Sequence, residues 1–124
     1  MIITGLISKG ESSIFSILDN LLNIKEITSI IIVESDFENY NKLLKYASVH
    51  VKIFYLKPLR TYRVHNIAYA RNFLISKIKN NNCNLCKYFL MMDSGEENIK
   101  IIFDFEKIFS TLRFGMFYTA SQND

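Results

Sequence analysis

The sequence is short of the residues that cross-link a small protein or carry it across a membrane. Of its 124 residues, two are cysteine, one is proline, four are glycine and none is tryptophan. Two cysteines are too few for a disulfide-stapled secreted scaffold. No apolar run approaches the roughly 20 residues that a membrane span needs. The apolar start, residues 1–8, has neither a charged region nor a cleavage site of the kind found in signal peptides, so we expect a cytoplasmic protein.

Charge of one sign is also scarce. The formal net charge is +3, and the lysines are scattered along the chain. Nucleic-acid-binding domains gather such residues in a stripe, so no nucleic-acid partner is predicted. The chain has neither a G-x-G-x-x-G nor a Walker A sequence, which disfavours a dinucleotide-binding Rossmann site and a P-loop. The mild positive charge still favours a small anionic ligand such as a phosphate.

What the chain does have is an alternation of short β-branched runs with helical patterns. Hydrophobic residues make up 49% of it, enough for the core of one domain over residues 1–124. We predict an α/β fold, a three-layer Rossmann-like domain with a mostly parallel sheet and helices on both faces. Strands are expected at residues 1–7, 27–34, 49–56, 87–92 and 115–119. Helices are expected after Ser12 or Ser13, after Asp36, over residues 65–79 and in the second half of residues 99–110.

Polar residues follow the ends of these strands. In an open parallel sheet the ligand binds outside the carboxyl ends of the strands, so these residues are the candidates for a site. They are Thr4 and Ser8 with the first strand, Glu34 and Asp36 with the second, Lys57 and Arg60 with the third, and Asp93, Glu96 and Glu97 with the fourth.

Three segments stand out in order along the chain. They read Ile-Ile-Ile-Val-Glu-Ser-Asp at residues 30–36, Arg-Val-His-Asn-Ile-Ala-Tyr-Ala-Arg-Asn at residues 63–72, and Tyr-Phe-Leu-Met-Met-Asp-Ser-Gly-Glu-Glu-Asn at residues 88–98. This ordered set resembles the front half of GT-A-type glycosyltransferases, and residues 67–72 are similar to the Ile-Ala-x-Ala-Arg-Asn of viral and fungal members. The resemblance implies a domain that binds a UDP- or GDP-linked sugar. Together with a composition rich in Ile, Asn and Lys, typical of AT-rich genomes, it suggests a large DNA virus as the source and the host cytoplasm as the location.

The resemblance also implies a role for particular residues. Those implied in nucleotide-sugar binding are Thr4, Glu34, Arg63, Arg71 and Asp93. Glu34 would contact the nucleoside, and the two arginines would contact phosphates or the carboxylates of the site, since arginine suits bidentate contacts. A Mn²⁺ or Mg²⁺ ion would be held by Asp93 and Glu96, because such ions take hard oxygen ligands. The ion would offset charge on the departing diphosphate.

Two departures from the family pattern leave other functions open. Gly95 stands where the family's Asp-x-Asp has its second metal-binding Asp, and the family's acceptor-binding half with its catalytic base lies beyond Asp124. No catalytic residue is assigned, and a hexosyltransferase is expected only if the site is active. A second hypothesis is a non-catalytic nucleotide-binding or protein-interaction module that kept the fold, and it predicts self-association. A third is an unrelated parallel α/β enzyme, such as a nucleotidyltransferase or a flavodoxin-like domain.

Cys83 and Cys86 form a C-x-x-C whose role the sequence leaves open. His50 and His65 lie upstream and are not spaced as a second pair of zinc ligands. Three asparagines precede the motif and a strand pattern follows it, the reverse of the strand-to-helix setting of a thioredoxin-like motif. Two thiols in a surface loop are one interpretation, and a redox pair or a metal site shared between molecules is the other.

Overall fold

The computed structural model describes residues 2–59, 63–80 and 88–93, along which strands and helices alternate. The strands are β1 (Ile2–Ser8), β2 (Ile27–Glu34), β3 (Val51–Tyr55) and β4 (Tyr88–Asp93). The helices are α1 (Ser13–Leu22), α2 (Phe37–Leu43) and α3 (Arg63–Lys79), and a 3-10 turn at Leu44–Tyr46 follows α2. No helix within these ranges is long and apolar enough to cross a bilayer.

The four strands form one parallel sheet in the order β3-β2-β1-β4. From β1 the chain adds β2 and β3 on one side, and it then passes back over the sheet to add β4 on the other side. Because parallel crossovers are right-handed, the two directions of travel put their helices on opposite faces of the sheet. The predicted Rossmann-like α/β fold, with a parallel sheet and helices on both faces, is confirmed.

Each face of the sheet has its own apolar cluster. The cluster under α1 and α2 contains Leu6, Ile14, Ile17, Leu18, Leu21, Ile30, Ile32, Leu43 and Val51. The cluster under α3 contains Ile3, Ile31, Val33, Ala70 and Leu74. Strand β2 sends alternate side chains into both clusters, and this is why its centre reads as an unbroken β-branched run.

Helix α3 packs closely on β1 at Gly5. A Cβ atom placed on Gly5 would lie 2.9 Å from Cδ2 and 3.1 Å from Cδ1 of Leu74. Leu74 is itself fully buried, so it has little space into which to retreat. The lack of a side chain at Gly5 therefore allows the helix to pack on this strand.

Several element boundaries differ from the predicted ones by one or two residues. Strand β3 begins at Val51 and not at residue 49, because the Ser48 hydroxyl oxygen accepts hydrogen bonds from the backbone N–H groups of His50 (3.1 Å) and Val51 (3.2 Å) and forms a turn there. Helix α3 begins at Arg63, two residues before its predicted start. Arg63 thus belongs to the first turn of α3. The helix and strand predicted at residues 99–110 and 115–119 lie outside the described residues.

Candidate functional site at the carboxyl edge of the sheet

The four parallel strands bring their last residues to one edge of the sheet, which we call the carboxyl edge. These last residues are Ser8, Glu34, Tyr55 and Asp93. The order of strand addition reverses between β1 and β4, since β2 and β3 lie on one side of β1 and β4 on the other. Ligands of open parallel sheets bind in the crevice at such a reversal. The crevice between β1 and β4 is therefore the candidate site.

Asp93 lies beside this crevice because of the strand register. It is the last residue of β4 and pairs with Ile7, so β4 ends level with the penultimate residue of β1. This is the strand-end position predicted for Asp93. Gly95 and the second predicted metal ligand, Glu96, lie outside the described residues. Within the described ranges, no three His, Cys, Asp or Glu side chains are grouped so that they could hold a metal ion.

Glu34 is the most heavily hydrogen-bonded side chain at this edge, and none of its surface is exposed. Its Oε1 accepts hydrogen bonds from the Ser8 hydroxyl (2.7 Å) and from the side-chain amide of Asn39. Its Oε2 accepts from the backbone N–H groups of Gly10 (3.0 Å), Ser35 (3.0 Å) and Asp36 (3.2 Å). A carboxylate offers about four lone-pair sites, so these five donors use its whole capacity.

This network joins the loops that leave two neighbouring strands. Ser8 and Gly10 belong to the exit of β1, whereas Asp36 and Asn39 begin α2 after the exit of β2. Gly10 has φ +90°, a conformation that favours glycine, and a Cβ atom there would lie 3.2 Å from Cβ of Asp36. Asp36 also caps α2, because its Oδ2 accepts the backbone N–H of Asn39 at 3.0 Å, and the helix starts after Asp36 as predicted.

A second carboxylate, that of Glu11, lies next to Ser8. Its Oε2 accepts the backbone N–H of Lys9 at 2.7 Å and lies 3.3 Å from the Ser8 hydroxyl oxygen. The Ser8 hydroxyl has one hydrogen, and we assign it to the shorter bond with Glu34. The edge above β1 and β2 is therefore acidic, so an anionic ligand bound there requires a cation to offset the repulsion.

The two predicted phosphate-binding arginines lie on α3, at different distances from the carboxyl edge. The chain leaves β3 at the carboxyl edge, so α3 begins near that edge and runs back along the sheet. Arg63 is its first residue, and Arg71 lies about 12 Å further along the axis, at 1.5 Å per residue. Arg71 is exposed, while its neighbour Ala70 is buried against the sheet.

Thr4 does not lie at the carboxyl edge. It is four residues before Ser8 in β1, which is about 13 Å along an extended strand. It is fully buried between Ile30 of β2 and Leu90 of β4, and its hydroxyl is without a hydrogen-bond partner in the described part of the chain. The structure thus places Thr4 away from Glu34 and Asp93, which lie at strand ends.

Three aromatic rings form a cluster at the carboxyl edge beside β3, the outermost strand on that side of the sheet. The ring centroids are 5.3 Å apart for Phe37 and Tyr55, 5.7 Å for Tyr40 and Tyr55, and 6.2 Å for Phe37 and Tyr40. Phe37 is 57% exposed and Tyr55 is 36% exposed, so the cluster presents apolar surface to solvent. Phe37 and Tyr40 are three residues apart on α2, and no pattern in the sequence indicates that they contact the end of β3.

The buried amide of Asn39 and the left-handed Gly10 are the parts of the site that sequence reasoning missed. Neither residue belongs to a motif, and both act only through Glu34, which is 24 residues from Gly10 in sequence. The one available signal was the pairing of Ser8 and Glu34 as ends of neighbouring strands. Comparison of the chain with family models, curated proteins and solved structures finds no match.

Proposed function

We propose that the chain binds a nucleotide-diphosphate sugar at the crevice between β1 and β4, as a domain of the GT-A glycosyltransferase type. The observation that carries the proposal is the register of Asp93, which puts a carboxylate-bearing residue at the reversal point of the sheet. Ligands of doubly wound sheets bind at this point, and a strand-end loop allows several ligand atoms to converge there. The UDP- or GDP-linked donors named by the sequence resemblance have the anionic character that a metal-assisted site accepts.

The residues offer part of a metal site for the diphosphate. Asp93 has the hard oxygen ligands that Mn²⁺ or Mg²⁺ takes, and Glu96 is the predicted second ligand. Glu34 adds no ligand, because protein donors already use its oxygen lone pairs. When bound, the ion would supply Lewis-acid stabilisation of the diphosphate. Arg63, at the start of α3 near the same edge, would hold phosphate oxygens. Arg71 lies about 12 Å further along the helix, so Arg63 is the nearer of the two arginines to this edge.

A second candidate is a protein-interaction module on the same fold. Two observations favour it: Gly95 offers no side-chain ligand at the second position of the metal motif, and the cluster of Phe37, Tyr40 and Tyr55 is exposed. Aromatic residues are enriched in protein interfaces. This candidate predicts concentration-dependent self-association in analytical ultracentrifugation, and a monomer at every concentration would argue against it.

The experiment that tests the first proposal is calorimetric titration of the protein with UDP-glucose, UDP-GlcNAc and GDP-mannose. Each donor is titrated with Mn²⁺ and again with EDTA. We expect one donor to bind in the presence of metal only, and Asp93→Ala to abolish that binding while the thermal transition of the protein is retained.

Asp19→Ala is the matched control, since Asp19 is an exposed aspartate on α1 outside the site. It should leave the affinity unchanged. Donor binding that is indifferent to EDTA and to Asp93→Ala would contradict the proposal.

A further inference from the structure

The surroundings of Glu34 form a built anion-binding cradle that the chain fills with its own side chain. We propose that Glu34 is a positioning residue, which fixes the exits of β1 and β2 from within this cradle and does not contact the ligand. The hydrogen bonds around Glu34 define the cradle, whatever the ligand is. That the ligand is a nucleotide-diphosphate sugar rests on the proposed function. In this arrangement Glu34 does not make the nucleoside contact that the family resemblance implies.

Burial and saturation of the carboxylate are the first grounds. None of the surface of Glu34 is exposed, so a bound molecule cannot reach its oxygens without displacing part of the protein. Five donors occupy both oxygens. Buried charges are stable in proteins when hydrogen bonds of this kind satisfy them. A new hydrogen bond from a nucleobase would have to replace an existing one.

The origin of the donors is the second ground. Ser8 and Gly10 come from the exit of β1, and Asp36 and Asn39 come from the exit of β2 and the start of α2. One carboxylate therefore fixes two loops of the carboxyl edge, including the left-handed Gly10. The hydroxyl and the backbone N–H of Ser35 also donate to the Ser8 carbonyl, but Glu34 is the group that reaches Gly10, Asp36 and Asn39 together.

The position of the cradle has a consequence for ligand binding. In many doubly wound folds the backbone N–H groups of the first strand-to-helix loop bind the phosphates of the ligand. Here the N–H group of Gly10 in that loop already points at Glu34, as does the N–H group of Asp36 in the next strand-to-helix loop. A phosphate must therefore find its donors and its cation elsewhere on the carboxyl edge, where Asp93 ends β4.

Amide hydrogen exchange of the full chain tests the cradle without any nucleotide. Gly10 and Asp36 are the reporters, since their N–H groups donate to Glu34. In Glu34→Ala we expect both amides to exchange at least about tenfold faster, because bonds to a charged acceptor are lost. Acetate or formate should restore slow exchange by occupying the emptied cradle, while chloride at equal ionic strength should not. Unchanged exchange in Glu34→Ala, or a loss that acetate does not reverse, would overturn the proposal.

Glu34→Gln keeps the test decisive if the alanine variant does not fold. The glutamine oxygen can accept from Gly10 and Asp36, and its amide can donate to Ser8 and to a flipped Asn39 side chain. We therefore expect the exchange of Gly10 and Asp36 to remain within about tenfold of the original protein. Exchange as fast as in an unfolded chain would contradict this arrangement. Glu38→Gln, at an exposed glutamate of α2, is the matched control.

Nucleotide titrations separate a positioning role from a base contact. A positioning residue acts on the shape of the loops, so Glu34→Gln should change the affinity for the donor that binds and the affinity for Mn²⁺-diphosphate, which has no base, by the same factor. A residue that contacts the base would change the ratio of the two affinities, and such a change would refute the proposal. If the original protein binds no donor, the proposed function fails, and the exchange experiment still decides whether the cradle exists.

Discussion

Gly5→Ala tests the close packing of α3 on β1. The added Cβ would lie 2.9, 3.1 and 3.1 Å from three carbon atoms of Leu74. Carbon atoms in a protein core normally lie about 3.5–4.0 Å apart, so each contact is short by roughly 0.4–1.1 Å. Leu74 is fully buried and cannot turn into solvent, so the strain must shift α3 or force Leu74 from its rotamer. We expect a loss of about 1–3 kcal/mol in the free energy of unfolding.

A double-mutant cycle in urea identifies the source of this loss. Leu74→Ala alone should cost about 2–5 kcal/mol, because it leaves a cavity in the cluster under α3. In the Leu74→Ala background, the methyl group of Gly5→Ala finds space and should cost much less or stabilise the protein. The coupling free energy should therefore be about 1–3 kcal/mol, of the sign that makes the double variant more stable than the sum of the singles predicts. Additivity within about 0.5 kcal/mol would refute the packing argument.

Two further pairs of variants test local features, with free energies of unfolding taken from urea titrations. Asp36→Ala should cost about 1 kcal/mol because it removes the cap bond to Asn39, whereas Ser12→Ala should stay within about 0.5 kcal/mol, since Ser12 makes no side-chain cap bond. Equal losses would contradict the difference in capping. Thr4→Val should be neutral or stabilising by up to about 1 kcal/mol, because the Thr4 hydroxyl is buried without a partner in the described part of the chain. Thr28→Val is the comparison, since the Thr28 hydroxyl donates to the backbone carbonyl of Ile2 at 3.4 Å. A larger loss of unfolding free energy in Thr4→Val than in Thr28→Val would contradict the unsatisfied hydroxyl of Thr4.

The fold could be predicted from the sequence because the patterns that indicate its strands and helices are local. The β-branched run at residues 30–33 predicts a strand buried on both faces. In the structure its side chains alternate between the cluster under α1 and α2 and the cluster under α3. Asp36 indicates the start of α2, because aspartate is a common N-cap residue and a helical pattern follows it. Alternation of such elements then constrains the sheet to be parallel and doubly wound.

The candidate site was less readable because its contacts are not local. Nothing in the sequence indicates that Asn39 and Gly10 converge on Glu34, since this depends on the pairing of β1 with β2. Glu34 at a strand end predicted a ligand contact, yet the fold surrounds its carboxylate with protein donors. Thr4 lies away from the carboxyl edge for a simpler reason. It is in the interior of β1, whereas a residue of the site has to lie at a strand end.

NMR of the labelled protein with Mn²⁺ and UDP-glucose tests the proposed site directly, because bound Mn²⁺ broadens the signals of nearby nuclei. We expect the amide signals of Ile7, Ser8 and Asp93 to broaden first. The signals of Thr28 and Val51, at the opposite edge of the sheet, should stay sharp. Broadening centred on that opposite edge, or spread evenly over the protein, would contradict a metal-assisted nucleotide site at the crevice between β1 and β4.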